Sequence, residues 1–269
     1  MLDSTGFETD VRVGLLGDLH GNTPEALKAL DALAEAGVRF VFQLGDFGLW
    51  PRGEAFLKAV EKRLTAHDQI LLVTLGNHEN YPRMEKALES ELFTGWLHLP
   101  GYERTLFAPR VHGFEWAGRK CLSVGGANSI DVEGRREGFS WWPEEQITLG
   151  DVLRAHEHEA EVMFTHECPA GVPLFGEADA GEQAVRLFGR RGVEYAMLSR
   201  EAMRAITDEV RPSLLFHGHY HFHADHTVEL TQESTGESYQ LRTVGLTRDT
   251  MEKLAAVFDF STLEWNFVV

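Results

Sequence analysis

The side chains best suited to chemistry occur in short motifs that place glycine beside candidate metal ligands. In chain order these motifs are Gly17-Asp18-Leu19-His20-Gly21, Gly45-Asp46, Gly76-Asn77-His78-Glu79 and Gly218-His219-Tyr220-His221, and the single residue His166, without a neighbouring glycine, comes before the last of them. Glycine lets the backbone turn sharply and approach closely. Carboxylate, imidazole and amide oxygen donors together suit Mn, Fe or Zn better than a metal ion that prefers thiolates. A single motif of this kind is commonplace, so the prediction of a metal site depends on the whole set.

Each motif directly follows a predicted strand, which is where open α/β sheets place their ligand sites. The predicted strands that precede the motifs cover residues 11–16, 40–44, 70–75, 161–165 and 213–217. Amphipathic segments predict helices at 24–36, 54–65 and 81–92. This alternation of strands and helices predicts right-handed crossovers and an inner parallel sheet.

The middle and the C-terminal part of the chain predict a second sheet. Residues 106–116 and 120–124 are expected to form an antiparallel pair that turns at Ala117-Gly118. After a loop at 125–140, helices are predicted at 143–158, 181–188 and 199–210, with a loop at 171–181 between the first two. Strand-like alternation then covers 222–230, 239–246, 254–259 and 263–268. Two packed sheets and the absence of an evident linker predict a single domain over residues 1–269.

Charge and composition limit the classes of partner. The formal net charge of −17 and the lack of a dense Lys/Arg run argue against tight binding to long nucleic acid. A small phosphate ligand remains compatible, because divalent cations reverse the sign of the local field. Cys121 and Cys168 are expected to be buried free thiols. No signal peptide or membrane-spanning apolar run is evident, which predicts a cytoplasmic protein with no membrane partner; the oligomeric state stays open.

The ordered series GDLHG, GD, GNHE, His and GHYH, from residue 17 to residue 221, closely resembles the signature of calcineurin-like metallophosphoesterases. The resemblance implies an α/β fold: a four-layer α/β/β/α sandwich with two inner mixed sheets and a dinuclear metal site at the strand ends. It assigns Asp18, His20 and His221 to the first of two divalent metal ions. It assigns Asn77, His166 and His219 to the second ion, with Asp46 bridging both. Mn is the first expectation for the two ions, with Fe, Zn or Ni as alternatives.

The same resemblance implies a reaction. A water shared by the two ions becomes hydroxide near neutral pH and attacks phosphorus in line, while the ions bind the phosphoryl oxygens. His78 is then not a ligand; it faces the substrate and either protonates the leaving oxygen or stabilises its charge. The expected function is hydrolysis of a small phosphodiester or phosphomonoester, a nucleotide being one candidate.

Three alternatives stay open on the same fold: a nuclease, a protein phosphatase and a non-catalytic metal-binding interaction module. The chain departs from the GDxVDRG pattern of the protein Ser/Thr phosphatases, since Leu49 replaces the second acid and Trp50 replaces the Arg. This departure weakens the protein-phosphatase interpretation, and the intact ligand set weakens the non-catalytic one.

The Gly-rich loop from Gly125 to Trp142 has two interpretations. It could be a lid in which Arg135 or Arg136 binds the substrate phosphate and Trp141 or Trp142 stacks on the leaving group. It could equally be a surface loop that is anchored in the core by tryptophan.

Overall fold

Two β-sheets pack face to face in the computed structural model, which describes residues 7–49, 53–87, 90–93, 95–174 and 180–269. The strands of the described residues are, in chain order, β1 (Arg12–Leu16), β2 (Phe40–Gln43), β3 (Ile70–Val73), β4 (Ser90–Phe93), β5 (Trp96–Leu99), β6 (Tyr102–Phe107), β7 (Val111–Trp116), β8 (Arg119–Val124), β9 (Val162–Thr165), β10 (Leu214–His217), β11 (Ala224–Thr231), β12 (Ser238–Gly245), β13 (Ala255–Asp259) and β14 (Glu264–Phe267). The α-helices are α1 (Thr23–Glu35), α2 (Glu54–His67), α3 (Tyr81–Ala87), α4 (Leu149–Ala155) and α5 (Ala180–Val210).

Both sheets have a parallel centre and antiparallel edges. The eight-stranded sheet has the order β14-β13-β1-β2-β3-β6-β5-β4, and its strands β1, β2, β3 and β6 are parallel. The six-stranded sheet has the order β11-β12-β10-β9-β8-β7, and its strands β12, β10, β9 and β8 are parallel. The two parallel centres bring the carboxyl ends of their strands to the same edge of each sheet.

Three hydrophobic layers hold the sheets and helices together. The central layer lies between the sheets, where the rings of Phe42 and Phe164 stack with centroids 4.3 Å apart. The second layer packs α1 and α2 on the outer face of the larger sheet. The third packs α4 and α5 on the outer face of the smaller one. The expected four-layer α/β/β/α sandwich with mixed sheets is therefore confirmed.

Several predicted elements have different limits. The strand expected at 106–116 divides at Pro109, which lacks a backbone N–H; β6 joins the larger sheet and β7 the smaller one. Strands β13 and β14 return to the larger sheet instead of completing the second. The helix expected at 81–92 ends at Ala87, and β4 follows it as an edge strand paired with β5.

The predicted helices in the second half also differ. A 3-10 turn at Pro143–Glu145 replaces the start of the helix expected at 143–158. The α-helix begins only after Thr148, whose side chain forms a reciprocal capping box with Asp151. Helix α5 runs from Ala180 to Val210 with a kink at Gly189. The residues between the two helices predicted at 181–188 and 199–210 are therefore helical as well, apart from this kink. Part of the loop expected at 171–181 lies outside the described residues. Trp50 lies outside them as well.

Both cysteines are buried free thiols, as expected. Of the helices that the structure describes, none combines the length and apolar character needed to cross a bilayer.

Candidate metal centre

The motif residues converge at the carboxyl ends of five parallel strands. Asp18 and His20 follow β1, Asp46 follows β2, and Asn77 and His78 follow β3. His166 follows β9 directly, and His219 and His221 follow β10. The side chains of Asp18, Asp46, Asn77 and His166 are at most 2% exposed. The two sheets therefore bring together side chains as distant in the chain as those of His20 and His221.

One group of ligand atoms comes from Asp18, His20, Asp46 and His221, which each offer an atom within 4.8 Å of the others. The Nε2 atoms of His20 and His221 are 3.0 Å apart. His221 Nε2 is 3.4 Å from Asp18 Oδ2. Two ligands that share one cation at bond lengths of about 2.1 Å are separated by about 3.0–3.4 Å, so these spacings fit a metal ion.

A second group of atoms converges around His166 Nε2, which is 2.9 Å from Asn77 Oδ1 and 3.4 Å from Asp46 Oδ1. The other ring nitrogen, Nδ1, lies 2.7 Å from the carbonyl oxygen of Leu44 and donates its proton to it. In the neutral ring Nε2 is then an acceptor, and it faces two other acceptors. The ring of His219 lies beside that of His166, with centroids 4.9 Å apart.

Three hydrogen-bond acceptor atoms that face one another repel unless a cation or an extra proton lies between them. Burial disfavours the charged ring of His166, but the carboxylates of Asp46 and Asp18 and the hydrogen bond to Leu44 together outweigh burial and raise the pKa of His166 to about 10. Burial would also raise the pKa of Asp46, yet the surrounding imidazoles lower it well below its ordinary value. The acceptors thus form a site that favours positive charge, and the donor set fits a divalent ion bound by nitrogen and oxygen.

The backbone supports this convergence at a conformational cost. His20, Asp46, His219 and His221 all have positive φ, between 45° and 71°. Such strained backbone persists where the surrounding structure over-determines it, and it tends to cluster at active sites. Close approach is possible because of glycine: a Cβ at Gly45 would lie 2.3 Å from His166 Nδ1, and one at Gly218 would lie 2.1 Å from Asp18 Oδ1.

Hydrogen bonds between the loops fix the ligands relative to one another. Asp18 accepts the backbone N–H of His219 at 3.0 Å, and Asp46 accepts that of His78 at 2.9 Å. Glu79 accepts the N–H groups of Gly48 and Gly76, so it is satisfied by backbone amides. Each of these carboxylates therefore connects two strand ends.

His78 and Arg135 lie together at the mouth of the site. His78 Nε2 is 3.8 Å from Asp46 Oδ2, and its side chain is 25% exposed. Two guanidinium nitrogens of Arg135 lie 3.0 Å from Nδ1 and 2.6 Å from Nε2 of His78, and the one unprotonated ring nitrogen of the neutral imidazole can accept a hydrogen bond from them. Burial, reinforced by the charge of Arg135, lowers the pKa of His78 despite the opposing charge of Asp46.

The two candidate arginines occupy different environments. Arg135 is held by Asp131, whose carboxylate accepts from Nε at 2.6 Å and from Nη2 at 3.0 Å, and it lines the cavity beside the metal residues. Arg136 is exposed and lies 6.0 Å from the ring centre of Phe139, outside the cavity lining. The loop places Arg135 in the cavity lining and buries the side chain of Trp142.

Two buried polar residues that orient the site, Gln43 and Glu145, were not predicted from the sequence. Gln43, at the end of β2, donates to the carbonyl oxygens of Gly17 and Gly45 and so connects two ligand loops. Glu145 accepts hydrogen bonds from Ser129, Trp141 and Tyr195. A polar residue inside an apolar strand could have indicated Gln43, but Glu145 resembled an ordinary first-turn carboxylate.

Comparison with known proteins agrees with this geometry. The model of the family described as calcineurin-like phosphoesterase matches residues 11–223. The crystal structure of TT1561 from Thermus thermophilus is 12% identical, has a TM-score of 0.56, and the match covers 97% of this chain and 100% of that one. A dimetal phosphatase from Danio rerio is 15% identical with a TM-score of 0.55, and the match covers 92% of both chains. At these identities the likeness shows a shared fold. No protein of curated function matches the chain.

Proposed function

The chain belongs to the calcineurin-like phosphoesterase family, and on that premise we propose that it hydrolyses a small phosphodiester or phosphomonoester with two bound metal ions. The observation that carries this proposal is the convergence of His166 Nε2, Asn77 Oδ1 and Asp46 Oδ1, three acceptor atoms that face one another in a buried site.

Each ion would be held by three residues of its own, and one further residue would bind both ions. Asp18, His20 and His221 would bind the first ion, and Asn77, His166 and His219 the second. Asp46, whose two carboxylate oxygens face the two groups, would bridge them. Two divalent ions at such a site lower the pKa of a shared water and offset the charge on the phosphoryl group. The nitrogen and oxygen donors suit Mn, Fe, Zn or Ni, and we take Mn as the first candidate.

The remaining residues would act on the substrate. His78 lies beside the bridging carboxylate and is partly exposed, so it is placed to give a proton or a hydrogen bond to the leaving oxygen. Arg135, oriented by Asp131, would hold a phosphoryl oxygen through its planar guanidinium.

The same domain would include the residues beyond the family match. Strands β11 and β12 extend the smaller sheet next to β10, and β13 pairs with β1 in the larger sheet. This pairing supports a single domain over residues 1–269.

The experiment is a rate comparison on protein that is stripped of metal and reconstituted with Mn. The substrates are p-nitrophenyl phosphate and bis(p-nitrophenyl) phosphate, and Asp46→Asn is the control. Metal-dependent cleavage that is lost in the variant supports the proposal, and the faster substrate identifies the ester class. Full activity of the variant with two bound ions would contradict the bridging role of Asp46.

A further inference from the structure

A cavity of about 470 Å³ opens beside the candidate metal ligands, and its two ends differ in chemistry. One end contains Asp46, Asn77, His78, His219 and His221. Another wall comes from helix α5, whose lining residues are apolar except for Arg200. Any phosphate ester bound at the metal residues would therefore have the rest of the molecule against this wall.

The wall is one face of the helix. Ala196 and Met197 lie three and four residues after Val193, and Arg200 lies four and three residues after them, which places all of them on the same side of α5. Phe188, just before the kink, continues this surface. Phe188 and Met197 are each 38% exposed, so part of this apolar surface is not covered by the described protein core. Covering such surface with an apolar ligand is favourable because it removes the surface from water.

The polar groups near this wall already have partners within the protein. Arg200 donates to the carbonyl oxygens of Pro169 at 3.0 Å and of Val172 at 2.8 Å. The hydroxyl of Tyr220 donates to Glu167, and Asp131 is paired with Arg135. A polar substituent such as a nucleobase would lose its hydrogen bonds to water here and find these groups engaged, which is costly.

We infer that the substrate is a phosphate ester that carries an apolar alkyl or aryl group, which lies against the face of α5 formed by Val193, Ala196 and Met197. This inference rests on the proposed function for the position of the phosphoryl group. The cavity separates a charged end, which binds phosphate, from an apolar end, which selects the organic group.

The test measures kcat/KM for n-alkyl phosphates and n-alkyl p-nitrophenyl phosphates from methyl to octyl, using the Mn-reconstituted protein. Burial of each methylene predicts a rise of about two- to fourfold until the cavity is full. Phenyl p-nitrophenyl phosphate compared with n-hexyl p-nitrophenyl phosphate, which release the same p-nitrophenolate, separates an aryl from an alkyl occupant, and a gain over methyl p-nitrophenyl phosphate with either supports the inference. A flat series, or faster cleavage of thymidine 5′-monophosphate and its p-nitrophenyl ester, overturns it.

Two variants locate the effect. Met197→Glu places a charge on the wall and should lower the octyl-to-methyl ratio of kcat/KM at least tenfold. Leu198→Glu is the matched control, since Leu198 is the next residue, is 57% exposed and lies outside the cavity lining. An equal loss in both variants would contradict the assignment of the wall.

Binding without turnover separates this inference from the proposed function. Calorimetric titration with n-octylphosphonate and methylphosphonate, which the enzyme cannot hydrolyse, should show tighter binding and a more negative heat-capacity change for the octyl compound. If no ester is cleaved but this difference is present, the proposed function fails and the apolar site stands. If esters are cleaved but the two phosphonates bind equally, the apolar site fails and the phosphoesterase stands.

Discussion

The side-chain amide nitrogen of Asn77 donates a hydrogen bond to the hydroxyl oxygen of Ser129 at 2.8 Å. Because the nitrogen is engaged in this way, the amide oxygen of Asn77 is the atom that faces His166, at 2.9 Å. The hydroxyl of Ser129 in turn donates to Glu145 at 2.6 Å. A loop residue and a buried carboxylate thus determine which atom of Asn77 is available to a metal ion.

Removing the hydroxyl of Ser129 should weaken metal binding at the site that includes Asn77. Ser129→Ala leaves the amide free to rotate, and loss of an orienting partner typically lowers metal affinity or activity about 10- to 100-fold. Equilibrium dialysis with Mn would measure the change. Ser123→Ala is the matched control, since Ser123 is also 1% exposed and hydrogen-bonded, but to Thr74. Equal affinities in the two variants would contradict the orienting role.

Glu145 should make stability depend on pH between about 4.5 and 7. Burial raises the pKa of Glu145 from 4.5 to about 7, although hydrogen bonds from Ser129 and Trp141 oppose the shift. A carboxyl with a raised folded-state pKa contributes stability that is complete below pH 4.5 and is lost as the pH rises through 7. Relative to Glu145→Gln, the free energy of unfolding of the wild type should fall by up to about 3 kcal/mol over this range.

Urea unfolding at several pH values, with chelator present throughout, measures this difference. Glu144→Gln is the control, because it removes a neighbouring exposed carboxylate. The same pH dependence in both variants would show that Glu145 is not the group responsible.

His78→Ala should lose turnover and keep both metal ions. His78 is close to Asp46 but points into the cavity, so its removal takes away a group that acts on the substrate and no ligand. General acid–base groups typically contribute about 10²- to 10⁴-fold to the rate. Metal content by elemental analysis and kcat should be measured on the same sample. Loss of a metal ion would instead make His78 a ligand.

Arg135→Ala and Arg136→Ala should differ although they are neighbours in the chain. Arg135 is held by Asp131 beside His78, so its removal should raise KM or lower kcat/KM about tenfold or more. Arg136 lies outside the cavity lining, and its variant should stay close to the wild type. Steady-state kinetics with bis(p-nitrophenyl) phosphate tests this, and equal effects would refute the assignment.

Gly45→Ala should disrupt the metal site far more than Gly118→Ala. Both glycines have positive φ, 96° and 76°, so both variants strain the backbone. A Cβ at Gly45 would lie 2.3 Å from His166 Nδ1, whereas one at Gly118 would have no heavy atom within 4 Å. The expected result is loss of Mn binding in the first variant and retention in the second. Comparable Mn binding in the two variants would mean that His166 can move without weakening the metal site.

The sequence predicted the parts of the fold that depend on local pattern. The strands β1, β2 and β3 and the helices between them have strong periodicity, and a glycine follows the end of each strand within three residues. The predicted limits were wrong for elements that depend on partners distant in the chain. The helix after residue 81 ends early because β4 pairs with β5, and the chain leaves the first sheet at Pro109.

For the candidate site, the sequence by itself determined the donor types, their order and their position after strands. It could not determine which atoms meet, because His166 and Asn77 are separated by 89 residues and come together only when the two sheets pack. Nor could it choose between Arg135 and Arg136, since the choice depends on which of two adjacent side chains Asp131 holds. The apolar wall of the cavity was also decided by tertiary structure, because the periodicity of a helix indicates an apolar face but not which residues share a cavity with it. Local pattern follows from neighbours in the chain, whereas the chemistry of a site follows from neighbours in space.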